Sequence, residues 1–591
     1  MRRLLIFGFI GLTSLIFILT AIDFWLIGYI KKSKNNFDKF HFAQHLNKDL
    51  YPEMKNEGES KEEGVLGGII SHHFITSNQM RDFFLKLKEN RYETIVIIGP
   101  NHFQSGNRPI LVSELPYKTP WGISYPNQDL ISKLKKNQAV FSDDKAFTHE
   151  HSIASPMGFI NYYQPQAEVV PIILKKSVDI QSLDKLVQSL DRHLSKNTLV
   201  IASVDFSHHL NETAALFHDE LSLGVINDFD YNRIFNLEID SPPSIYVLLK
   251  YLELRDSKKM IIEAKLNSAD LLNQKTMEDV TSYLFAYFKK GSIAETENTT
   301  SMLFLGDAMF DRKIKHLIKG GKDPFEKIKG PEGNFLKGTD FNILNLEGPI
   351  GQNIECEKKT VSFSFSPAIA DLLKTNRFNL INLNNNHMLD CGNPGLLQTQ
   401  TILGEKGIEY LGGVQIKDNV KLRKINDKTI LFLSINAIGI NSEKLDQYHK
   451  QIIAHKEQSD LVVANIHWGS EYHKHASKEQ QIIAHDLINQ GVDLIIGHHP
   501  HVIQELEIYK NKPIFYSLGN FIFDQESPET RQALGVGFVS NKKYHRFYLF
   551  PIIIENYQPR LIDPGKSLLF CQEYLKKYEF KEGCYFSLDQ Y

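Results

Sequence analysis

Short aliphatic runs, each followed at once by a cluster of polar residues, recur through most of the chain. Clear examples are TIVIIGPNHF at 94–103 and VDLIIGHHPH at 492–501, and the stretch SKEQQIIAHDLINQG at 477–491 between two such runs is amphipathic. Short runs rich in β-branched residues are typical of buried strands, and amphipathic stretches are typical of helices. The pattern predicts tandem α/β domains, with polar residues at the carboxyl ends of strands, where such sheets bind ligands.

Two polar interruptions divide this pattern, one rich in charge before residue 65 and one reading KKGSIAETENTTS at 289–301. Interdomain linkers have this composition. At 591 residues the chain is also long enough for two large cores. We therefore expect a linker at 33–64, a first domain at 65–290, a linker at 291–301, a second domain at 302–556 and a C-terminal tail at 557–591.

The N-terminal segment is apolar, with no charged residue from Leu4 to Ile22. A helix of about 20 apolar residues spans a bilayer. The run is long for a cleaved signal peptide and has no clean Ala-x-Ala exit, so we predict an uncleaved signal-anchor at 1–32. Basic residues flank both ends and do not set the orientation, but a short tail before a long polar chain favours an exported body on a single-pass membrane protein.

The net charge bears on binding to nucleic acid, and the cysteine count bears on disulfide pairing. The formal net charge is −3, so the sequence gives no electrostatic argument for binding nucleic acid. Four cysteines, at 356, 391, 571 and 584, allow two disulfides in any of three pairings, and four free thiols are the alternative.

The strand ends of the second domain carry residues of the types that bind metal ions. They are Asp307 in LGDAMF, Glu347 in LNLEGP, Asn386 and His387 in LNNNHMLD, His467 in NIHWG, and His499 and His501 in GHHPH. Carboxylate, amide and imidazole ligands suit Zn, Mn, Fe or Mg. Two such ions about 4 Å apart can bind a phosphoryl oxygen and activate water. Glu347 could bridge them, and His387 could protonate a leaving group. A single histidine is more often structural, but the ordered set predicts a metal site.

Six motifs in this region resemble those of the CapA-type capsule or poly-γ-glutamate biosynthesis proteins, which have the calcineurin-like metallophosphoesterase fold. The motifs are GDAMFDR, NLEGPI, NNNHMLDCG, HWGSEY, GHHPHV and YSLGNFIFDQ. The resemblance covers about 301–556 and implies an α/β sandwich with a dinuclear metal site. It places Asp307, Glu347, Asn386, His467, His499 and His501 at the metals and His387 at the position of the acid histidine, and it gives His498 no role.

The same resemblance implies a membrane-anchored, outward-facing role, with an anionic polymer and the proteins that synthesise or export it as partners. This sequence departs from the usual phosphoesterase pattern at two positions. Ala308 and Met309 follow Asp307 where a D-x-H motif is usual, and Glu347 stands where an aspartate usually bridges the metals.

The first domain resembles the Memo family, also called AmmeMemoRadiSam system protein B, whose fold is shared with class III extradiol dioxygenases. The motifs are GGIISHHF, IIGPNHF, FTHEHSIASPMGF and ASVDFSHH, and the resemblance covers about 65–290. It places His72, His102, His151, Asp205 and His208 in a cleft. Histidine and carboxylate ligands suit an iron or zinc ion, and a histidine-lined cleft without metal is the alternative.

Three functions follow as hypotheses. The leading one is a metal-dependent, phosphoesterase-like hydrolase step in the synthesis or export of an envelope polymer. The second is a non-catalytic scaffold or polymer-binding component with degenerate metal sites. The third is a non-haem iron oxidoreductase that acts through the Memo-like domain.

Overall fold

The structure is a computed structural model that describes residues 39–55, 61–330, 335–357, 359–578 and 583–589. The predicted signal-anchor at 1–32 lies outside the described residues. Within the described ranges, every helix is too short or too polar to cross a bilayer.

The chain divides into two compact units that differ from the predicted domain boundaries. The first unit comprises the chain up to Val204 with Pro243–Glu263 and Phe285–Gly291. The second unit comprises Asp205–Pro242, Ala264–Leu284 and Ser292–Tyr591. Two segments that the sequence assigned to the first domain therefore belong to the second unit.

An eight-stranded mixed sheet forms the centre of the first unit. In spatial order its strands are Lys259–Asn267, Ser282–Lys289, Val65–Ile70, Thr198–Ser203, Thr94–Pro100, Glu168–Leu174, Ile110–Val112 and Phe141–Ser142. The central strands Val65–Ile70, Thr198–Ser203, Thr94–Pro100 and Glu168–Leu174 run parallel. All seven residues of Thr94–Pro100 are buried, which explains why that run is apolar without alternation.

Among its described residues, the first unit also contains a small sheet and five α-helices. The small sheet contains His41–Phe42, Tyr117–Thr119 and Gly122–Ser124. The helices are Ser77–Lys86, Gln128–Lys136, His151–Tyr163, Ile180–His193 and Pro242–Leu254, the last of which begins at the boundary with the second unit.

The second unit contains two large sheets. The first has the strand order Glu409–Leu411, Phe378–Asn382, Phe341–Leu346, Thr300–Ala308, Gln532–Ser540, Tyr544–Glu555 and Gln558–Leu561, with Asn520–Ile522 beside Thr300–Ala308 and Tyr585–Asp589 beside Tyr544–Glu555. The other has the order Val420–Ile425, Lys428–Asn436, Leu461–His467, Leu494–His498, Lys512–Phe515 and Leu506–Tyr509. The helices are Glu212–Asn227, Ser268–Leu272, Arg312–Lys319, Glu326–Lys329, Ala368–Thr375, Gly392–Glu405, Ser442–Lys456, Lys478–Gln490 and Pro564–Tyr574.

Alternating residues of the strands contribute to the three large hydrophobic cores of the described part of the second unit. Met302 and Phe304 of one sheet share a core with Phe432 and Ile496 of the other, so the two sheets pack face to face. Leu303, which lies between Met302 and Phe304 in the same strand, belongs to a core on the opposite face of that sheet. This core also contains helix residues. Because successive side chains of a strand point to opposite faces, this arrangement buries both faces of each sheet. The prediction of tandem α/β domains is confirmed.

Two further findings concern the C-terminal part. Residues 558–589, which the sequence assigned to a tail, contain the strand Gln558–Leu561, the helix Pro564–Tyr574 and the strand Tyr585–Asp589. All four cysteines are paired, as Cys356–Cys391 and Cys571–Cys584. These pairings are one of the three that the sequence left open, and they exclude the alternative of four free thiols.

Candidate metal centre

The predicted metal-site residues of the second unit meet at the carboxyl ends of parallel strands. Asp307 lies near the end of Thr300–Ala308, and Glu347 follows the neighbouring strand Phe341–Leu346. His467 ends a strand of the other sheet, and His499 follows the strand paired with it. Both sheets therefore contribute to one site, as expected for ligands at strand ends.

One cluster contains Asp307, Glu347 and His501, whose ligand atoms all lie within 4.8 Å of one another. His501 Nε2 is 3.6 Å from Glu347 Oε1, and His501 Nδ1 is 3.4 Å from Asp307 Oδ2. All three side chains are buried.

A second cluster contains Glu347, His467 and His499, again with ligand atoms within 4.8 Å of one another. His467 Nε2 lies 2.8 Å from the side-chain oxygen of Asn386, which brings the predicted amide ligand to this cluster. The exposed Glu471 forms a further group with His499 and His501. Glu347 belongs to both main clusters and so occupies a bridging position.

The loop that carries the histidines has an unusual backbone. His499 has φ +98° and His501 has φ +58°, in the left-handed region that L-residues rarely adopt. Such conformations cost about 1–3 kcal/mol each and concentrate at functional sites. This backbone brings both His499 and His501 to the site.

Burial and neighbouring charge set the protonation of these groups. Burial raises the pKa of Glu347 to about 8. Burial and the other histidines hold the pKa of His467 well below its usual value and lower that of His499 to about 4, so both imidazoles are neutral at pH 7. Burial opposes protonation of His501, but the carboxylates of Glu347 and Asp307 raise its pKa to about 9.

Several ligand atoms at the centre have no hydrogen-bond partner among the described residues. They are both carboxylate oxygens of Glu347 and the Nδ1 atoms of His467 and His499, all of them buried. Buried polar atoms are normally paired, because an unpaired one costs free energy. Neutral imidazoles and carboxylates arranged in this way are the donor set of a divalent cation, so the residues fit the predicted metals.

His387, the predicted acid, lies beside the clusters. Its Nδ1 is 2.8 Å from Asp390 Oδ2, and its Nε2 is 3.9 Å from Glu347 Oε1. Asp390 therefore orients the ring so that Nε2 faces the centre.

Besides Glu471 and Asp390, three more residues at the centre were not predicted as site residues. His498 is buried with Nδ1 3.1 Å from Asp307 Oδ1, and Asn345 donates a hydrogen bond of 2.7 Å to the same oxygen. Asn520 Oδ1 lies 2.9 Å from His501 Nδ1. Asn345 interrupts the apolar run FNILNL, and a polar residue inside a buried strand was the signal that could have identified it.

The first unit contains a separate histidine cluster, formed by His72, His102 and His151 with ligand atoms within 4.8 Å of one another. The rings of His102 and His151 stack with centroids 4.2 Å apart. His102 Nδ1 lies 2.7 Å from Oε1 of the buried Glu150, which fixes the orientation of that ring. These three predicted cleft residues are thus adjacent.

The other two predicted cleft residues belong to the second unit. Asp205 is buried, and its carbonyl oxygen accepts a hydrogen bond of 3.1 Å from the backbone of Asp240. The backbone N–H of His208 donates to Glu238 Oε2 at 3.1 Å.

Family models match both parts of the chain. A model described as Memo-like protein matches residues 43–283, and one described as bacterial capsule synthesis protein PGA_cap matches residues 301–525. The chain joins a Memo-like domain to a PGA_cap domain. The candidate metal centre of the second unit lies in the PGA_cap domain, and His72, His102 and His151 lie in the Memo-like domain.

Curated relatives match one domain each. The capsule biosynthesis protein CapA of Bacillus anthracis is 32% identical over 263 residues, covering 40% of this chain and 63% of that protein. The PGA biosynthesis protein CapA of Bacillus subtilis is 28% identical over 304 residues, covering 47% of this chain and 79% of that protein. A MEMO1 family protein of Metallosphaera sedula is 26% identical over 159 residues, covering 26% of this chain and 56% of that protein.

Proposed function

We propose that the PGA_cap domain holds two divalent cations and catalyses a phosphoester-type step in the synthesis or export of a capsule or poly-γ-glutamate-type anionic polymer. The observation that carries this proposal is Glu347, which belongs to both ligand clusters and whose two buried oxygens accept no hydrogen bond from the described residues. The names of the two CapA relatives, which refer to capsule and PGA biosynthesis, support this choice of polymer.

Divalent cations at the two clusters would neutralise charge on a phosphoryl oxygen and lower the pKa of a water molecule. Asp307 and His501 would hold one cation and His467, His499 and Asn386 the other, with Glu347 between them. His387 acts from the side of Glu347. As hydroxide forms a new bond to phosphorus and the bond from phosphorus to the leaving oxygen breaks, the proton at His387 Nε2 passes to the leaving oxygen. The hydrogen bond to Asp390 keeps the ring in position.

We further propose that the protein is anchored in the cell membrane with both domains outside the cytoplasm. The uncharged stretch from Leu4 to Ile22 supports the anchor. The two disulfides support an external position, because disulfides persist in oxidising compartments.

A second candidate function belongs to the Memo-like domain. The adjacent His72, His102 and His151 support the binding of one iron- or zinc-class ion, as a non-haem iron oxidoreductase requires. The change His72→Ala with His102→Ala is expected to remove that ion, measured by elemental analysis after anaerobic purification, and to leave the metals of the PGA_cap domain in place. If the double variant contained as much iron and zinc as the unmodified protein, the alternative of a histidine-lined cleft without metal would be favoured.

The function of the PGA_cap domain is tested by hydrolysis of bis(4-nitrophenyl) phosphate. The purified full-length chain is stripped with a chelator and reloaded with Mn²⁺. Glu347→Gln keeps the shape of the side chain but removes its charge, and we expect it to lower kcat by at least about 100-fold. The control is Glu409→Gln, which changes a carboxylate 2.9 Å from Arg423 in the same unit and should leave kcat unchanged. A chain that binds Mn²⁺ without any turnover would favour the scaffold function.

A further inference from the structure

One disulfide ends at the turn that carries His387. Cys391 follows Asp390, the residue that holds His387, and is bonded to Cys356. The backbone N–H of Glu357 also donates to the carbonyl oxygen of Asp390 at 2.9 Å. The segment that contains Cys356 is thereby tied to the turn that carries the predicted acid.

Phe363 makes the second connection between these segments. Its backbone N–H donates to Asp390 Oδ2 at 2.9 Å, the same oxygen that lies 2.8 Å from His387 Nδ1. Its ring centroid is 4.5 Å from that of His387. One carboxylate oxygen and one aromatic ring thus hold the imidazole, and both depend on the position of the segment joined by the disulfide.

The need for a crosslink follows from the local backbone. Between Ile350 and Phe365, the described residues form neither helix nor strand, so backbone pairing contributes little to fixing their position. Cys391, in contrast, immediately precedes the helix Gly392–Glu405. A covalent bond to this helix end reduces the number of conformations that the irregular segment can adopt.

We propose that the Cys356–Cys391 disulfide is a positioning element of the metal centre, which fixes Asp390 and Phe363 and through them the direction of His387 Nε2. This inference rests on the proposed function, because it assigns His387 the role of proton donor. Misplacing a catalytic group by about 1 Å can cost 100-fold in rate. The disulfide is therefore required for proton donation and not for metal binding.

The second disulfide supplies a matched control. Cys571 and Cys584 are buried in the core between the two sheets of the same unit, among residues that do not include the metal ligands. Cys356→Ser with Cys391→Ser and Cys571→Ser with Cys584→Ser each remove one crosslink. A general loss of rigidity would affect the two double variants alike, and a positioning role would not.

The test compares two substrates on the Mn²⁺-loaded full-length chain. Diphenyl phosphate has a poor leaving group that needs a proton, and bis(4-nitrophenyl) phosphate has a good one that does not. We expect the Cys356/Cys391 variant to lose about 10- to 100-fold in kcat on diphenyl phosphate but less than about threefold on bis(4-nitrophenyl) phosphate, with unchanged metal content. The Cys571/Cys584 variant should change both rates by one common factor. Equal losses on both substrates, or no loss, in the Cys356/Cys391 variant would overturn the inference.

A readout that needs no turnover separates this inference from the proposed function. In ¹⁵N-histidine spectra, the imidazole signal of His387 is assigned by its absence in His387→Gln. The Cys356/Cys391 variant should lose the contact between His387 Nδ1 and Asp390 Oδ2, and this loss should shift the signal. The Cys571/Cys584 variant should keep the contact and show no shift. An unshifted signal overturns the inference even if the chain hydrolyses neither ester. If the Cys356/Cys391 variant fails to fold, Phe363→Leu removes the ring that packs on His387 while keeping the backbone N–H to Asp390 and the disulfide, and a shift of the His387 signal is again expected.

Discussion

At the scale of single residues, Asp307 is held by a chain of buried amides. Asn345 donates to Asp307 Oδ1 at 2.7 Å and accepts from Asn382 at 2.8 Å. We expect Asn345→Leu to weaken divalent-metal affinity about 10- to 100-fold, the loss that is typical when a residue that orients a metal ligand is changed. The measurement is calorimetric titration of the stripped full-length chain with Mn²⁺.

Asn342 provides the control for this variant. It is buried on the same strand but bonds Thr339, Leu336 and Arg377, away from the metal ligands. Asn342→Leu should lower the free energy of unfolding and leave Mn²⁺ affinity within about twofold. Equal affinities of the two variants would show that the contact of Asn345 with Asp307 does not support the site.

A second residue, His218, is expected to make stability depend on pH. It is fully buried in the second unit, and burial lowers its pKa to about 3. An unfolded histidine takes up a proton near pH 6.5, so between these values the unfolded state binds more protons. The free energy of unfolding must then fall as the pH falls through this window, by up to about 1.4 kcal/mol per pH unit. His218→Met should remove this contribution, which denaturant titrations from pH 7 to pH 4.5 measure. Parallel pH profiles of variant and wild type would contradict it.

Sequence patterns singled out most of the residues that meet at this candidate site because those residues follow strands directly. Asp307, Glu347, His467, His499 and His501 all follow or end short aliphatic runs. His498 and Asn345 were missed for a physical reason. Both contact Asp307 across strands, and a contact between strands depends on the order of strands in the sheets, which a single sequence does not determine.

At the scale of elements, two strands approach each other closely at a glycine that precedes the histidine loop. A Cβ atom at Gly497 would lie 2.0 Å from the carbonyl oxygen of Tyr516, which is backbone and cannot move aside. We expect Gly497→Ala to lower the free energy of unfolding by at least about 1–3 kcal/mol and to reduce metal affinity, because His498 and His499 follow directly. Denaturant titration and Mn²⁺ titration measure the two effects.

A helical glycine of the same unit serves as the comparison. Gly404 lies in Gly392–Glu405, and an added Cβ would have no neighbour within 4 Å. Gly404→Ala should raise stability by about 0.5–1 kcal/mol, since alanine loses less conformational freedom in a helix. A Gly497→Ala variant as stable as Gly404→Ala would contradict the close approach.

The sequence identified strands that are apolar along their whole length, but it did not identify strands that form only by pairing with another strand. The runs at 94–103 and 492–501 gave buried strands because both faces of these sheets are covered. Residues 558–589 carry no such run, and their strands form by pairing with the long strand Tyr544–Glu555. Tertiary pairing of this kind overrides local pattern, which is why the segment was predicted as a tail.

At the scale of the whole molecule, the proposed anchor makes a testable statement about location. Because the stretch from Leu4 to Ile22 is uncharged, the protein should sediment with membranes. Protease added to intact spheroplasts should degrade both domains, with a cytoplasmic protein as the internal control. A protein that stays in the soluble fraction, or domains that are cleaved only after lysis, would contradict this location.

The central claim is that Glu347 joins two cation sites in the PGA_cap domain, and the most direct measurement is electron paramagnetic resonance of the Mn²⁺-loaded full-length chain, together with its metal content. Residues His72 and His102 are changed to alanine in the sample so that the Memo-like cluster does not contribute. The account predicts two Mn²⁺ ions per chain with a spin-coupled spectrum, and loss of that coupling in Glu347→Gln. Uncoupled, mononuclear Mn²⁺ in the chain with Glu347 intact, or a coupled spectrum that survives Glu347→Gln, would contradict it.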